Sequence, residues 1–437
     1  MIVIGGGVAG LAAARALAKR RRRVVLLEAR DRLGGRIFTR RPKGWPEPFE
    51  LGAQFVHAGN ADIWRLLREA RIRVSKVPNL HYLAQRGSMS QIRDLDRRIF
   101  SVTRLITERG AGNLSFADYF RRHPHPVPPA NWNLAKGFVE GFEAAPMEKI
   151  SARSLAGAQM DEEEQFMVPG GYDQVVSFLV SECLRLGVTM MTSTVVRSVT
   201  WRKGNVVVGT WDVLLKKAHE LESDVAVVTL PLGVLQARSG KGAVSFRPSL
   251  AGKKKVLSKM GMGRVYRIAL RLSPTGWKRV LSKVGPKRGP LGFVHSSGVR
   301  LPTWWSLKAG TSIVGWAGGP DATALMGLTP GERLSAAIRS LAAVLGIPLS
   351  GIIRAVTASE EWDWNNDPYS RGAYSFIAAG QDNASRELAK PVKGTLFFAG
   401  EATADGIETG TVHGAFSSGL RAARQVLAAK VKPHGSF

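Results

Sequence analysis

Three glycines that directly follow a short apolar run constrain the fold of this chain more than any other feature. The run Ile2-Val3-Ile4 predicts a buried strand, and Gly5, Gly7 and Gly10 follow it at the spacing of a tight strand-to-helix turn. The Ala-rich residues 11–18 predict the helix that the turn opens. Together they predict the first half of a Rossmann-like βαβ unit.

The residues that follow give this turn a chemical meaning. An apolar run from Val24 to Leu27 predicts a second strand, which ends at Glu28. The N-terminus of the intervening helix has unpaired N–H groups and a positive dipole end that suit a pyrophosphate, and Glu28 lies where a carboxylate binds ribose hydroxyls. That carboxylate would repel the 2′-phosphate of NADP, so FAD or NAD is favoured. An ordinary βα turn is the alternative.

A second glycine pair lies close behind, in Arg32-Leu33-Gly34-Gly35-Arg36. This block resembles the FAD-binding signature of the flavin amine oxidase and desaturase superfamily. Two glycines permit close backbone approach, and Arg36 can neutralise pyrophosphate charge. The resemblance implies FAD as the cofactor and adds Arg30 to the residues expected to contact it.

The far end of the chain repeats the pattern of strand, acid and Gly-rich helix start. Residues 395–399 predict a strand, Gly400 and Glu401 follow it, and residues 410–419 open a helix to about Ala428. This resembles the closing FAD motif of the same superfamily. The resemblance implies that Glu401 meets the ribityl or pyrophosphate region and that the backbone at Val412 donates to the flavin ring. Another βα unit with a capped helix is the alternative.

The middle of the chain resembles a third FAD segment of this superfamily. A helix is predicted to about Leu186, and strands are predicted over 189–197 and 224–230, with Val196 in an adenine-side contact. Further strands are predicted over 264–272 and 311–316. The fold expected is therefore α/β, a discontinuous Rossmann-like FAD-binding domain interleaved with an α+β substrate-binding domain and a helical insert. The boundaries expected are 1–58, 162–235 and 379–437 for the FAD domain, and 59–161, largely helical, and 236–378 for the substrate domain.

Bulk composition sets limits on the partners. The chain has 437 residues, 44% hydrophobic and 22% charged, which is ordinary for a soluble globular protein. Its net charge of +28 would attract polyanions non-specifically, so no specific nucleic acid is predicted. The tract Lys19–Arg23 is expected to be a solvated end of the first helix, and Lys253–Lys255 is expected to lie on a similar exposed helical stretch. The single cysteine, Cys183, excludes intrachain disulfides and fits a core helix position.

No metal site is predicted, because the chain shows no metal-ligand spacing. No apolar run approaches the roughly 20 residues that span a bilayer, so we expect no membrane anchor. No secretory leader precedes the first strand, although the native start could differ, and the cytoplasm is the predicted location. We expect a monomer or a homodimer.

Two blocks resemble the polyamine oxidase and lysine-specific histone demethylase branch of the flavin amine oxidases. The block from Glu50 to Gly59 resembles the turn beside the flavin, and the block from Trp364 to Ser375 resembles the substrate-side motif. The resemblance implies that Tyr374 holds a neutral amine against the flavin. The alternative for Trp364 and Tyr374 is that both are simply aromatic residues of the core. The cofactor contacts it implies are Gly52, Ala53, Gln54, Phe55 and Trp364.

The chain departs from the family pattern beside this tyrosine. Ala373 stands where mitochondrial monoamine oxidases carry the cysteine that bonds the flavin, so FAD is expected to be non-covalent. The resemblance implies that Thr411 replaces the second tyrosine of the monoamine oxidase cage, as in polyamine oxidases and the demethylase, and that bulkier or secondary amines fit the site. His57 matches a substrate-side histidine of animal polyamine oxidases, with a structural hydrogen bond as the equal alternative.

The most consequential departure is Arg267. Family members usually place a lysine there, which holds a water at flavin N5 and assists reoxidation by oxygen. Arginine keeps the positive charge but adds a bulky planar fork, which puts oxygen reactivity in question. Another electron acceptor becomes possible, and pairing of Arg267 with an acid is the structural alternative.

The resemblance implies an amine oxidase with a small-molecule amine as substrate. A hydride would pass from the carbon next to nitrogen to flavin N5, water would hydrolyse the imine, and O2 would reoxidise the flavin to give H2O2. The alternatives are an L-amino acid oxidase, an FAD-dependent amine dehydrogenase with another acceptor, and a non-catalytic basic scaffold. Acids between residues 140 and 164 could recruit a cationic amine: Glu140, Glu143, Glu148, Asp161, Glu162, Glu163 and Glu164.

Overall fold

A parallel sheet built from both ends and the middle of the chain forms the centre of the nucleotide-binding half. The computed structural model describes residues 1–45, 47–85, 87–156, 164–284, 291–306 and 310–429. Within them, a five-stranded sheet is parallel throughout and has the order Thr189–Met191, Val25–Leu27, Ile2–Ile4, Ala226–Val228, Leu396–Phe398. The apolar runs suit strands that are buried on both faces. The predicted α/β class with a discontinuous Rossmann-like unit is confirmed.

Three helices form the main core beside this sheet: Val8–Lys19, Asp173–Arg185 and Val412–Ala428. The first and last cross closely, because a Cβ at Gly419 would lie only 2.2 Å from the Ala9 carbonyl oxygen. Cys183 is fully buried in this core, and burial raises the pKa of its thiol to about 11. Its predicted core position is confirmed, and the thiol is unreactive at neutral pH.

A second, larger sheet carries the opposite wall of the molecule. In the described residues it has seven strands in the order Val356–Glu361, Val265–Leu272, Ser312–Gly318, Thr303–Ser306, Gly292–Ser296, His81–Gln85, Ser88–Ile92. All pairings are antiparallel except that of Gly292–Ser296 with His81–Gln85. The strand Val265–Leu272, second from one edge of this sheet, is buried along nearly its whole length. It therefore places its side chains firmly.

The segment 59–161 is less uniformly helical than predicted. Its helices are Ala61–Glu69, Leu95–Thr103, Glu108–Ala111, Phe116–Arg122, Pro129–Gly137, the π-helix Phe138–Phe142 and Ala152–Ala156. It also contributes the strands His81–Gln85 and Ser88–Ile92 to the seven-stranded sheet. Neither strand shows apolar alternation in the sequence; His81–Gln85 pairs on one side with a strand more than 200 residues away and on the other with Ser88–Ile92.

The strand predicted over 189–197 is two strands. Ser193 adopts a left-handed φ of 52°, which breaks the run into Thr189–Met191 and Thr194–Arg202. The second piece joins a four-stranded sheet with Asn205–Asp212, Lys217–Ser223 and Ser245–Arg247. The last of these pairs across the predicted boundary at residue 235, and the domain division stays a prediction.

The remaining elements connect the sheets. The short strands are Thr39–Arg40, Phe49–Glu50, Phe55–His57, Ser75–Lys76, Gln165–Met167, Gly261–Met262 and Ser375–Phe376. The further helices are Leu232–Gln236, Ala251–Leu257, Pro274–Val284, Gly319–Met326, Pro330–Leu345, Leu349–Ala355 and Ala384–Ala389, with 3-10 turns Glu401–Thr403 and Gly406–Glu408.

The two basic tracts differ in exposure. Residues Arg20–Arg23 are exposed just past the end of the first helix, as predicted. Lys253 is instead only 6% exposed, which corrects the expectation for Lys253–Lys255. Its ammonium donates to the carbonyl oxygens of Glu387, Leu388 and Lys390 at 2.5, 2.9 and 2.7 Å. These carbonyls end the helix Ala384–Ala389, and the lysine caps that helix across the tertiary fold.

Two further expectations concern membranes and metals. Across the described ranges, no single helix is long and apolar enough to cross a bilayer. The helices Pro330–Leu345 and Leu349–Ala355 together have the length and composition of a membrane span, but a bend of 119° separates them. In the same residues no three His, Cys, Asp or Glu side chains form a cluster that could hold a metal ion.

Candidate active site

The glycine turn has the geometry of a phosphate cradle. Gly5 has a φ of +109°, and a Cβ there would lie 2.6 Å from the Thr229 hydroxyl. A Cβ at Gly10 would lie 1.9 Å from the Gly5 carbonyl oxygen, so only glycine permits the tight turn. A Cβ at Gly7, in contrast, would meet no protein atom within 4 Å. The open space over Gly7 is where the backbone can approach a pyrophosphate.

Glu28 is held in place at the end of the second strand. Its buried carboxylate accepts hydrogen bonds from the backbone N–H groups of Gly6 at 2.7 Å and Arg30 at 3.0 Å. Each oxygen keeps further acceptor capacity, because a carboxylate accepts about four hydrogen bonds. The arrangement therefore fits the predicted contact with ribose hydroxyls.

Arg30 connects this strand end to the distant substrate-side motif. Its guanidinium donates to Asp367 at 2.6 Å and to the Ser370 hydroxyl at 2.9 Å. It also lies over the Tyr369 ring, 5.5 Å from the centroid. Arg30 lines the cavity described below, and its predicted cofactor contact stays a prediction.

The second glycine pair packs directly against the first turn. Gly34 and Gly35 both have positive φ angles, +98° and +58°, and the Gly34 N–H donates to the Gly6 carbonyl at 2.8 Å. A Cβ at Gly35 would approach the Gly7 Cα to 3.3 Å. The two glycine motifs therefore form one continuous backbone surface.

Arg36 and Glu401 join the two ends of the chain. The Arg36 guanidinium donates to Glu401 at 2.9 Å and to the Ala373 carbonyl at 2.7 Å. The other oxygen of Glu401 accepts from the Ser375 hydroxyl and backbone N–H. Residues from the start, the end and the substrate-side motif thus meet in one polar cluster.

One large cavity unites these features. Its volume is about 1490 Å³. A typical small-molecule pocket has a volume of about 300–1,000 Å³. Every predicted cofactor residue except Gly10 lines it: Gly5, Gly7, Glu28, Arg30, Gly34, Gly35, Arg36, Gly52, Ala53, Gln54, Phe55, Val196, Trp364, Gly400, Glu401, Thr411 and Val412. Gly10 instead packs on the turn itself. The cavity is large enough for a dinucleotide with a substrate beside it.

The four predicted catalytic residues line the same cavity: His57, Arg267, Tyr374 and Thr411. Arg267 is 3% exposed and donates to the Gly52 carbonyl at 2.9 Å and to the Gln54 side-chain oxygen. Its guanidinium also lies 5.3 Å from the Trp305 ring centroid. Burial lowers the pKa of Arg267 to about 10, so it stays charged at neutral pH. Its acceptors are amide oxygens of the predicted flavin turn, where a paired acid was the alternative.

Tyr374 faces the π-helix of the insert. Its hydroxyl donates to the Phe142 carbonyl, and Glu143 adjoins it in the cavity wall. Burial raises the pKa of the Tyr374 phenol, with Glu143 adding to the rise, so the ring stays neutral. Burial also raises the pKa of Glu143 to about 7. A π-helix often marks a functional site, and here it brings a titrating carboxyl group to the tyrosine.

The described acids of this segment have separate surroundings. Glu140 faces Lys136 at 3.8 Å, and Glu164 pairs with Lys76. Asp161, Glu162 and Glu163 lie outside the described residues. Glu143 is therefore the member of this set whose position supports a role beside Tyr374.

His57 and Thr411 lie beside the start of the terminal helix. The His57 ring meets the His413 ring edge to face, with centroids 5.4 Å apart. Burial lowers the pKa of both, that of His413 to about 4 with His57 as a second cause, so both are neutral near pH 7. The Thr411 hydroxyl accepts from the Gly414 N–H at 2.9 Å and donates to the Glu408 carbonyl at 2.6 Å. Thr411 therefore caps the helix, whatever it contacts in the cavity.

Sequence reasoning missed an aromatic wall of this cavity. Phe293, Trp305 and Trp316 project from neighbouring strands of the seven-stranded sheet, and each lines the cavity. No motif marks them, because strands of any sheet are rich in aromatic residues. Only the strand order brings them together, and two of them, Phe293 and Trp305, lie beside Phe55 of the flavin turn.

The parallel sheet, the double glycine cradle and the continuous cavity define a dinucleotide-binding protein of the Rossmann-like class. Residues 8–427 match the family model described as flavin containing amine oxidoreductase, and the chain belongs to this family. FAD is its cofactor, and the oxidoreductases of this family act on amines. Ala373 offers no sulfur for a covalent link, in agreement with the predicted non-covalent binding.

Similar proteins support the predicted branch. The chain is 28% identical to Polyamine oxidase 2 of Arabidopsis thaliana over 97% of this chain and 87% of that protein. It is 27% identical to Lysine-specific histone demethylase 1 homolog 2 of Oryza sativa subsp. japonica over 98% of this chain, and it spans only 57% of that protein's length.

Solved structures show the same fold. Putrescine oxidase bound to putrescine superposes with a TM-score of 0.76 at 20% identity, covering 98% of both chains. Cyclohexylamine oxidase from Brevibacterium oxydans IH-35A superposes with a TM-score of 0.76 at 17% identity, covering 97% of this chain and 98% of that one. The predicted flavin amine oxidase fold is thereby confirmed.

Proposed function

We propose that this chain is an FAD-dependent amine oxidase that removes a hydride from the carbon next to an amine nitrogen. The observation that carries the proposal is the single cavity in which the glycine cradle, Arg267, Tyr374 and Glu143 meet. Bound FAD supplies the hydride acceptor, flavin N5. Water then hydrolyses the imine product.

The residues of the chain have to orient the amine and keep it unprotonated. An ammonium has no lone pair to stabilise the positive charge that develops as hydride leaves. The low polarity of the aromatic wall lowers the pKa of a bound amine, because burial disfavours the charged form. Glu143, with a pKa raised to about 7, can attract the incoming cation and accept its proton.

A second candidate is an amine dehydrogenase that passes electrons to an acceptor other than O2. Arg267 favours it, because its fork is held by Gly52 and Gln54 and need not place a water as a lysine would. An L-amino acid oxidase would need a guanidinium free to clamp a carboxylate, and these contacts give Arg267 other acceptors.

Anaerobic titration tests the proposal. Adding monoamines, diamines, amino acids and N-methyl-lysine peptides to the FAD-loaded protein should bleach the flavin absorbance with at least one amine class. Failure of every amine to reduce the flavin would overturn the proposal.

Admitting air to the reduced protein then separates the two candidates. If Arg267 slows oxygen chemistry, reoxidation is slow, and Arg267→Lys should accelerate it by about tenfold or more while leaving anaerobic reduction within a few fold. Equal reoxidation of both proteins, with peroxide released, would assign oxidase activity to the native arginine.

A further inference from the structure

Two histidines form a hydrogen-bonded pair in the wall of the large cavity. His81 and His295 lie on the adjacent parallel strands His81–Gln85 and Gly292–Ser296. The His81 Nδ1 atom lies 2.9 Å from the His295 Nε2 atom, and the ring planes differ by 13°. Phe293 stacks beside His81 with centroids 5.1 Å apart. All three side chains line the cavity.

The pair presents a fixed hydrogen-bonding pattern. Burial lowers the pKa of His81 to about 4 and that of His295 to about 3, so both rings are neutral at physiological pH. A neutral imidazole has one N–H and one acceptor nitrogen. When one ring donates to the other, the two outer nitrogens are left as one acceptor and one N–H. The tautomers are coupled, and this result is the same whichever ring donates.

An apolar wall connects this pair to the reacting end of the cavity. Arg267 lies against Trp305, the Trp305 and Phe293 rings are 5.8 Å apart, and Phe293 stacks on His81. Phe55 of the flavin turn contacts the same wall, and its ring centroid lies 6.1 Å from that of Phe293. A methylene chain lying on these rings would have one end beside Arg267 and the other end at the histidines.

We infer that His81 and His295 form a second polar subsite, which accepts a hydrogen bond from an amine substrate at a distance from its reacting nitrogen. The ligand class is an amine with a second N–H donor, such as a diamine, joined by an apolar linker that packs on Phe293 and Trp305. The inference rests on the proposed function, because it concerns the substrate of the same site.

Charge explains why a neutral pair suits this place. The chain carries a net charge of +28, which disfavours dications throughout its field. Charged histidines would add to that repulsion, whereas the buried neutral pair offers an acceptor without a positive charge. Hydrogen bonds to a charged group are worth about 1.5–3 kcal/mol, or roughly 10–150-fold in affinity.

The test compares matched ligands and separates binding from chemistry. Diaminobutane, diaminohexane and diaminooctane are each compared with the monoamine of the same carbon number. Dissociation constants come from perturbation of the oxidised flavin spectrum and from calorimetry on the FAD-loaded protein. Rates come from anaerobic flavin reduction. We expect one diamine length to bind about tenfold or more tightly than its monoamine in the native protein.

Variants then assign the preference to the pair. His295→Phe and His81→Phe keep an aromatic ring against Phe293 but remove the shared hydrogen bond, and each should abolish the diamine preference while changing monoamine binding less than about threefold. His295→Gln restores a donor and an acceptor and should recover part of the preference. His219 lies on the strand Lys217–Ser223, outside the cavity lining, and the variant His219→Gln is the control.

Each outcome decides one question. Equal loss of diamine and monoamine binding, or a lowered melting temperature with no change in the ratio, would assign the pair a structural role and overturn the inference. A native protein with no diamine preference would also overturn it. A diamine preference without flavin reduction by any amine would retain the subsite and overturn the proposed function.

Discussion

Glu143 shows how one residue can combine an electrostatic role with a pH response. It follows the π-helix Phe138–Phe142 and lies in the cavity wall beside Tyr374. Burial raises the pKa of its carboxyl group to about 7. The group is therefore mainly neutral below pH 7 and mainly anionic above it. Its attraction for a cationic amine is present at high pH and lost as the pH falls through about 7.

The substitution Glu143→Gln should reveal this response. We expect the ratio of native to variant kcat/KM for a cationic amine to be near one at about pH 6 and to rise to about tenfold at about pH 8.5, equal to about 1.4 kcal/mol. Deprotonation of the substrate itself affects both proteins equally and cancels in the ratio. Glu140→Gln, on the same π-helix but outside the cavity lining, is the control. A ratio that is constant with pH would contradict the prediction.

At this scale the sequence predicts local chemistry and misses distant partners. Gly5, Gly7 and Glu28 were predictable because their roles depend on residues within one βαβ unit. The acceptors of Arg267 could not be predicted, because Gly52 and Gln54 lie more than 200 positions away in the chain. Lys253 was misjudged for the same reason, since its three carbonyl partners follow it by more than 130 residues.

The first βα turn illustrates how one element separates folding from cofactor binding. Gly10 faces the protein, where a Cβ would lie 1.9 Å from the Gly5 carbonyl oxygen. Gly7 faces open space, where a Cβ would meet no protein atom within 4 Å. The same substitution at the two glycines should therefore have different consequences.

Gly10→Ala should destabilise the turn, because the backbone contact cannot relax without moving the helix Val8–Lys19. We expect a loss of more than about 2 kcal/mol in the free energy of unfolding, measured on the apoprotein with denaturant. Gly7→Ala should change that free energy by less than about 1 kcal/mol but weaken FAD binding about tenfold or more, measured by flavin release on dilution. Equal effects of the two variants on apoprotein stability would contradict this assignment.

Elements with an internal signal were predictable, and elements held by long-range pairing were not. The helix Asp173–Arg185 and the strand Val265–Leu272 carry clear apolar patterns, and the predicted end of the helix and the predicted start of the strand each differ by one residue. The strand His81–Gln85 has no apolar alternation, and the distant strand Gly292–Ser296 pairs with it on the side away from its hairpin partner Ser88–Ile92. The strand that carries His81 could therefore be found only from the structure, and with it the pairing of His81 and His295.

Across the whole molecule, the two ends of the chain close one sheet around the cofactor cavity. The strand Leu396–Phe398 pairs with Ala226–Val228, which pairs with Ile2–Ile4, and the final helix packs on the first. The cavity wall opposite comes from intervening segments. Local motifs predict the cofactor half well for this reason, whereas the substrate half depends on the strand order of the second sheet.

The net charge of +28 is also a property of the whole molecule. Measurements of DNA binding and flavin reduction together distinguish an enzyme from a non-catalytic scaffold. Exposed tracts such as Arg20–Arg23 should bind the DNA backbone without reading its sequence. We expect the affinity for duplex DNA to fall about tenfold or more between about 50 and 200 mM salt and to be equal for unrelated sequences, measured by fluorescence anisotropy. Replacing Arg20–Arg23 by glutamine should reduce the salt dependence of DNA binding.

Amine should still bleach the flavin of the DNA-bound protein at an unchanged rate, because no step of the proposed reaction uses these arginines. Sequence-specific or salt-insensitive binding, together with a flavin that no amine reduces, would instead favour a scaffold.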